Sequence, residues 1–304
     1  MIAIDDARWL ELLSTRTFRP GAVAEAYARR KRPAALLNER GTMFLVAADH
    51  PARGALKAGS DPMAMADRRS LLARLITALD HPDVDGVLGS PDVIEELLLL
   101  GALEGKIVIG SMNRGGLDGA TWTMDDRFTG YQAASIASCR LEGGKMLLRI
   151  DDEDAGTAPT LQACAHAVTE LADHKLIAMV EPLPYRREPD GTLVLQQDAA
   201  SLARAVTVAS ALGTTSAYTW LKTPACDDPD VVYAATTLPC VVLGGVPGPD
   251  LDAQVESWSK TLRQPVVRGL VIGRTVLYPE DGDVAGTVDA AAKVLRAATE
   301  GVDS

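Results

Sequence analysis

The 304-residue chain is poor in cysteine: it has four, Cys139, Cys164, Cys226 and Cys240. None sits in CxxC or comparable ligand spacing, which argues against a disulfide scaffold, a zinc site or a redox motif. No uninterrupted apolar run approaches the roughly 18 residues that span a bilayer. Residues Met1 to Leu13 hold three acidic side chains and one arginine, without the basic-then-apolar order of a signal peptide, so a cytoplasmic location is expected. Positive charge is in deficit, with a formal net charge of -11. A surface of that sign repels phosphate backbones and anionic lipid, so neither nucleic acid nor membrane is expected as a partner. Internal repeats, low-complexity stretches and linkers rich in Gly, Pro or Ser are also missing.

What is present is an ordinary globular composition, 47% apolar and 23% charged, enough for a large buried core. Short apolar runs recur, each followed by a polar turn and a stretch of helical periodicity, the rhythm of βα units on a parallel sheet. Eight candidate strands can be read: Met43 to Ala48, Gly86 to Leu88, Lys106 to Gly110, Lys145 to Ile150, Leu176 to Glu181, Ala217 to Lys222, Cys240 to Gly244 and Gly269 to Gly273. Helices are expected over Pro62 to Leu79, Thr157 to Asp173, Ala199 to Leu212, Asp250 to Leu262 and Val284 to Thr299. Eight consecutive units in this length predict a closed (β/α)8 TIM barrel, with a doubly wound open sheet as the alternative. Residues 1–40 read as an N-terminal helical extension of two amphipathic helices, broken at Phe18-Arg19-Pro20-Gly21, and residues 41–304 as the catalytic barrel. The basic run Ala28-Arg29-Arg30-Lys31-Arg32 reads as a solvated helix end whose charge suits the helix dipole.

In such a barrel the chemistry gathers where strands end. The first candidate strand ends in Asp49-His50, a carboxylate and an imidazole, although an Asp there also caps turns. After the second strand, Ser90 is expected to cap a helix that begins at Pro91. The loop Gly110 to Leu117 either lines a cavity or is flexible. Arg149 interrupts an apolar strand, so it faces the barrel interior or needs a carboxylate, and the run Asp151-Asp152-Glu153-Asp154 is at hand to supply one. Glu181 and Tyr185 follow the fifth strand. Lys222 ends the sixth, where burial penalises an ammonium and favours the free amine that attacks carbonyls. A lysine snorkelling to the rim and pairing with Glu181 is the plainer alternative. Gly244, Gly245, Gly273 and Arg274 follow the last two strands, the usual phosphate position in such barrels.

The segments Ala47-Ala48-Asp49-His50, Trp220-Leu221-Lys222-Thr223-Pro224, Val242-Leu243-Gly244-Gly245 and Gly269 to Arg274, in this order, resemble the class I aldolase superfamily. That superfamily includes archaeal-type fructose-bisphosphate, tagatose-bisphosphate and deoxyribose-phosphate aldolases. The resemblance implies Lys222 as the Schiff-base lysine, Asp49 as the carboxylate orienting substrate hydroxyls, Tyr185 as an acid/base group, and Gly244, Gly245, Gly273 and Arg274 as phosphate binders. Glu181 is the other acid/base candidate, and Arg149 could serve a second anionic group. Thr275 stands where these families often carry asparagine, and Val246-Pro247 where a polar residue is commoner. The chain looks nearest to barrels of actinobacterial sugar and inositol catabolism, which implies 2-deoxy-5-keto-gluconate 6-phosphate as candidate substrate, cleaved to dihydroxyacetone phosphate and malonate semialdehyde. No cofactor and no metal is expected; the partners expected are a sugar phosphate and further copies of the chain in a homo-oligomer. Rival readings are deoxyribose-phosphate aldolase activity, a Schiff-base thiolase or transaldolase-like enzyme, an isomerase or epimerase without imine chemistry, and a non-catalytic binding barrel.

Overall fold

The computed structural model describes residues 4–245 and 251–300. Nine strands run through it: β1 (Met43–Ala48), β2 (Gly86–Gly89), β3 (Ile107–Ser111), β4 (Gly143–Ile150), β5 (Ile177–Arg187), β6 (Leu193–Leu195), β7 (Thr219–Pro224), β8 (Cys240–Leu243) and β9 (Val267–Ile272). All but β6 pair in parallel, in the order β4-β3-β2-β1-β9-β8-β7-β5, and a β4–β5 ladder closes the ring. The result is a closed eight-stranded barrel surrounded by helices, which rules out the open sheet.

Alternation along the strands divides the side chains between two cores. Met43 and Leu45 of β1, Ile107 and Ile109 of β3, Ile177 and Met179 of β5 and Val241 of β8 point inward and fill the lower barrel. Their neighbours Phe44, Val46, Val108, Met146, Leu148, Val180 and Val242 point outward against the helices. Each fully buried side chain of this kind contributes about 1.5–3 kcal/mol.

Two of the barrel helices begin where an aspartate satisfies one of the first free N–H groups. Asp67 accepts from Ser70 N at 2.9 Å and starts α3 (Arg68–Leu79), and Asp198 does the same for Ser201 N at 2.9 Å before the Ala199–Ser210 helix. Because Asp67 sets that start, the helix expected from Pro62 begins six residues later, and the stretch before it folds into turns around Asp61. Ser90 stands at the N-cap of the Pro91–Leu99 helix without making the cap bond; its hydroxyl donates instead to Asp92 Oδ1 at 2.5 Å. Asp250 and the Val246-Pro247 departure lie outside the described residues.

The fifth strand departs most from expectation. It runs six residues past Glu181 and turns back through β6, which pairs antiparallel with Tyr185, Arg186 and Arg187. Pro182 and Pro184 argue locally against a strand, but they fall between Val180, where the pairing with β7 ends, and Tyr185, where that with β6 begins, so the missing N–H groups take no ladder bond from that edge.

Helices α1 (Asp6–Phe18) and α2 (Ala22–Arg29) precede the barrel. Arg30, at the end of α2, is not solvated as expected: it is 1% exposed. It donates to the carbonyls of Lys106 and Arg140 at 2.8 and 2.5 Å and to Glu142 at 3.0 Å. Glu142 also accepts from Arg32 and from the backbone N–H of Val108. The basic cluster thus pins the extension to the N-terminal ends of β3 and β4, the end of the barrel away from the site. Among the described residues no helix is long and apolar enough to cross a membrane.

Candidate active site

At the C-terminal ends of the strands the inward-facing positions turn from apolar to charged. Continuing the alternation, Asp49 follows β1, Lys145 and Arg149 lie two residues either side of Leu147 in β4, Glu181 follows Met179 in β5, and Lys222 follows Trp220 in β7. Pairing of Leu147 with Glu181 and of Val180 with Leu221 puts these side chains at neighbouring levels. The four nearest the centre form one buried ionic group. Glu181 offers one carboxylate oxygen to Lys222 and the other to Lys145. Lys145 Nζ also lies 3.4 Å from Asp49, which is further held by Arg114 and by Ser111 Oγ at 3.0 Å. Relative exposures are 0% for Lys145, 1% for Asp49, 5% for Lys222 and 6% for Glu181.

Burial by itself would raise both carboxyls, but the surrounding cations prevail. Arg114 and Lys145 hold Asp49 well below the ordinary carboxylate range, and Lys145 and Lys222 hold Glu181 down. Lys145 is shifted down by burial and by the like charge of Arg114, which together outweigh Asp49 and Glu181. Burial likewise drives His50 well below its usual value despite Asp49 beside it.

Above this group opens a cavity of about 510 Å³, lined among others by His50, Arg53, Arg114, Arg149, Glu181, Tyr185, Lys222, Gly244, Gly245, Gly273 and Arg274. Most residues singled out from the sequence therefore share one chamber. Asp49 is not among the residues that line it, and its carboxylate meets Arg114, Lys145 and Ser111. Arg149 does line the chamber, but the acidic run after β4 is not its partner. Asp126 is, with contacts of 2.8 Å to both Nε and Nη2, and Nη2 also donates to the Thr123 carbonyl. The acidic run is used locally: Asp151 accepts from Arg187 N, Asp154 pairs with Arg187 and Asp152 with Arg204. Tyr185 lies under Arg149, whose guanidinium carbon is 5.9 Å from the ring centroid, and burial raises its phenol.

The glycine pair and the Gly-Arg turn meet on the opposite side. Gly245 has φ +72°, a conformation open mainly to glycine. At Gly273 a Cβ would fall 2.6 Å from the Ala47 carbonyl oxygen. Thr275, the departure from asparagine, donates from Oγ1 to the Gly244 carbonyl at 3.0 Å and so ties the two turns together. Arg274 reaches the Lys57 carbonyl at 3.3 Å, while its buried Nε has no hydrogen-bond partner among the described residues.

Sequence reasoning missed Lys145, Arg114 and Arg53. Parity offers a signal for the first: Lys145 stands four residues before Arg149 in the same strand and so shares its face. Arg114 belongs to the loop after β3, which is pinned rather than flexible. There Asn113 Oδ1 accepts from Leu147 N at 2.6 Å and Nδ2 donates to the Leu147 carbonyl at 2.7 Å. Nothing local marks such a loop residue as a partner of Asp49. The cysteines take no part: Cys164, Cys226 and Cys240 are buried and Cys139 half-buried, all unpaired, and burial pushes Cys164 and Cys240 up to about 12.

The Cgl0159-like family model matches residues 41–292. The crystal structure of Cgl0159 from Corynebacterium glutamicum is 47% identical, covering 97% of this chain and 99% of that one, with a TM-score of 0.94. An archaeal fructose 1,6-bisphosphate aldolase is similar at 16% identity, covering 90% of this chain and 99% of that one with a TM-score of 0.65, a likeness of fold. The same holds for an archaeal fructose-1,6-bisphosphate aldolase whose catalytic lysine is covalently bound to the carbinolamine intermediate, at 16% identity, the same coverage and a TM-score of 0.63. Among proteins of curated function, none matches. By the family match over most of the barrel and the identity along nearly its whole length, the chain belongs to the Cgl0159-like family.

Proposed function

We propose that the protein is a class I aldolase that forms a Schiff base through Lys222. The observation that carries this reading is a lysine 5% exposed, at the C-terminal end of a barrel strand, with its Nζ against one oxygen of Glu181 and a second buried lysine on the other. A carboxylate in contact with the amine can take the proton that must leave before the nitrogen attacks. The fold shared with Schiff-base-forming fructose-bisphosphate aldolases supports the same reading.

In this mechanism a ketose phosphate binds with its phosphate at Gly244, Gly245, Gly273 and Arg274 and its carbonyl at Lys222. The amine nitrogen adds to the carbonyl carbon, water leaves, and the resulting iminium draws electrons from the bond between the carbons α and β to it. That bond breaks as the β-hydroxyl proton passes to Glu181. An aldehyde departs, the enamine takes a proton back at its α carbon, and water releases the ketone and Lys222. Glu181 suits the proton transfers better than Tyr185, because it touches Lys222 while the phenol packs against Arg149. Lys145 and Asp49 act from beneath as positioning residues that hold Glu181 ionised and aimed. The candidate substrate is 2-deoxy-5-keto-gluconate 6-phosphate, and assembly into a homo-oligomer belongs to the same proposal.

The test is peptide mass spectrometry after borohydride reduction with dihydroxyacetone phosphate. A reduced adduct on Lys222, absent from Lys222→Ala, is the expected result. No adduct with any ketose or aldose phosphate would overturn the imine and move an isomerase without imine chemistry to first place.

A further inference from the structure

Arg53 closes the short 3-10 turn Pro51–Arg53 after β1 and takes no part in the steps above. Strand β1 is the neighbour of β9, with Val46 opposite Ile272, so the turn that carries Arg53 stands beside the one that carries Arg274. The two turns touch: a Cβ at Gly273 would fall 2.9 Å from His50 Cε1. Arg274 then reaches over the β1 loop to the Lys57 carbonyl, four residues past Arg53. Both guanidiniums line the cavity, and each keeps a buried nitrogen without a hydrogen-bond partner among the described residues, Nη1 of Arg53 and Nε of Arg274. A buried guanidinium edge left unsatisfied costs free energy that an incoming anion recovers.

The carboxylate that both arginines face is Asp118. It is the strongest opposite charge acting on Arg274 and acts on Arg53 as well. Its hold is weak, because it lies 3.6 Å from Arg53 Nη1, beyond hydrogen-bond reach, and its side chain is 57% exposed, where water screens the attraction. What keeps it there is the backbone: Asp118 N donates to the Arg53 carbonyl at 2.8 Å. The other cations that face Arg53 are already answered, Arg114 by Asp49 and Arg149 by Asp126. Tyr185 faces both arginines too, but burial raises its phenol and keeps it uncharged. One screened carboxylate thus stands against two guanidiniums. A phosphate monoester brings up to two negative charges and three acceptor oxygens to the same pair, and outcompetes it.

We infer that Arg53 and Arg274 close on the same substrate phosphate and that Asp118 is the carboxylate this phosphate displaces, so that the protein carries its own competitor for the anion site. The inference rests on the phosphate position proposed above and adds to it a specificity-determining arginine and a carboxylate that sets how tightly phosphate is held. The probe is sorbitol 6-phosphate, which has a phosphate and neither a carbonyl nor a carboxylate, with sorbitol as the blank. In calorimetric titration of the intact protein, Arg53→Met and Arg274→Met should each raise its dissociation constant about ten-fold or more. Arg53→Lys, which keeps the charge and loses the fork, should fall between Arg53→Met and the wild type. Asp118→Asn should lower the constant about two- to five-fold, the worth of a screened ion pair. Tighter binding cannot come from a damaged fold, so this arm decides the matter even where an arginine variant fails to fold. Wild-type affinity in Arg53→Met, with Arg274→Met weakened, overturns the role of Arg53 and leaves the phosphate position standing. Unchanged or weaker binding in Asp118→Asn overturns the displacement. No binding by the wild type overturns the phosphate position and this inference with it, whereas the imine is read separately by borohydride trapping.

Discussion

Lys145 and Lys222 grip opposite oxygens of the same buried carboxylate, Glu181. Two ammonium groups held by one acid repel each other, and the second carboxylate, Asp49, stands on the Lys145 side. The arrangement ties down one lysine from two directions and leaves the other with a single acidic contact. A buried ionic group of this kind is costly to build and contributes little net stability. Its use is to fix Glu181 against the amine.

Lys145→Met should therefore lower kcat by about 10²-fold or more, the scale of positioned proton transfer, while Lys222 is still trapped by borohydride. Because Lys145 helps hold the Glu181 carboxyl down, its removal should also move the acidic limb of the kcat/KM profile to higher pH. An unmoved limb would reduce Lys145 to a packing role.

Arg30→Met tests the other end of the barrel. It strands Glu142, whose side chain is 1% exposed, with Arg32 left as its charged partner among the described residues. Breaking a buried pair in this way costs about 3–5 kcal/mol, so urea denaturation should show a loss of that order with borohydride trapping intact in the folded protein. A loss under about 1 kcal/mol would mean that the pair behaves like a surface contact.

His50 gives a pH dependence. Its pKa is driven down in the folded protein, so between that value and the unfolded value of about 6.5 the unfolded chain binds the proton and the folded one does not. The stabilisation is present above about pH 6.5 and is lost as pH falls toward the folded pKa. Thermal melts from pH 7.5 to 5.5 should show a falling midpoint, and His50→Gln should flatten that slope. Equal slopes in both proteins would remove His50 as the cause.

Thr275→Val keeps the shape of the side chain and removes the hydroxyl that bridges to the Gly244 carbonyl. One neutral hydrogen bond, about 1 kcal/mol, should appear as a several-fold rise in the dissociation constant of sorbitol 6-phosphate, with sorbitol itself indifferent. Unchanged phosphate binding would mean that the two turns hold their relation without the threonine.

Repetition and alternation are properties of a sequence, and they carried the barrel: eight apolar runs at βα spacing, Lys222 anomalous at a strand end, and two glycine-bearing turns in the right order. Each depends on contacts near in the chain or on a period that every strand repeats. Burial of Arg30, the partnership of Arg149 with Asp126 and the extension of β5 through two prolines were decided by the tertiary structure. In each case the group that satisfies, or need not satisfy, a polar atom comes from another element: Glu142 lies 112 positions from Arg30, and Asp126 lies 23 from Arg149. Closure of the ring is what brings Asp49, Lys145, Glu181 and Lys222 to one point. The free energy of a buried charge depends on which opposite charges surround it, and that set exists only once the barrel has closed.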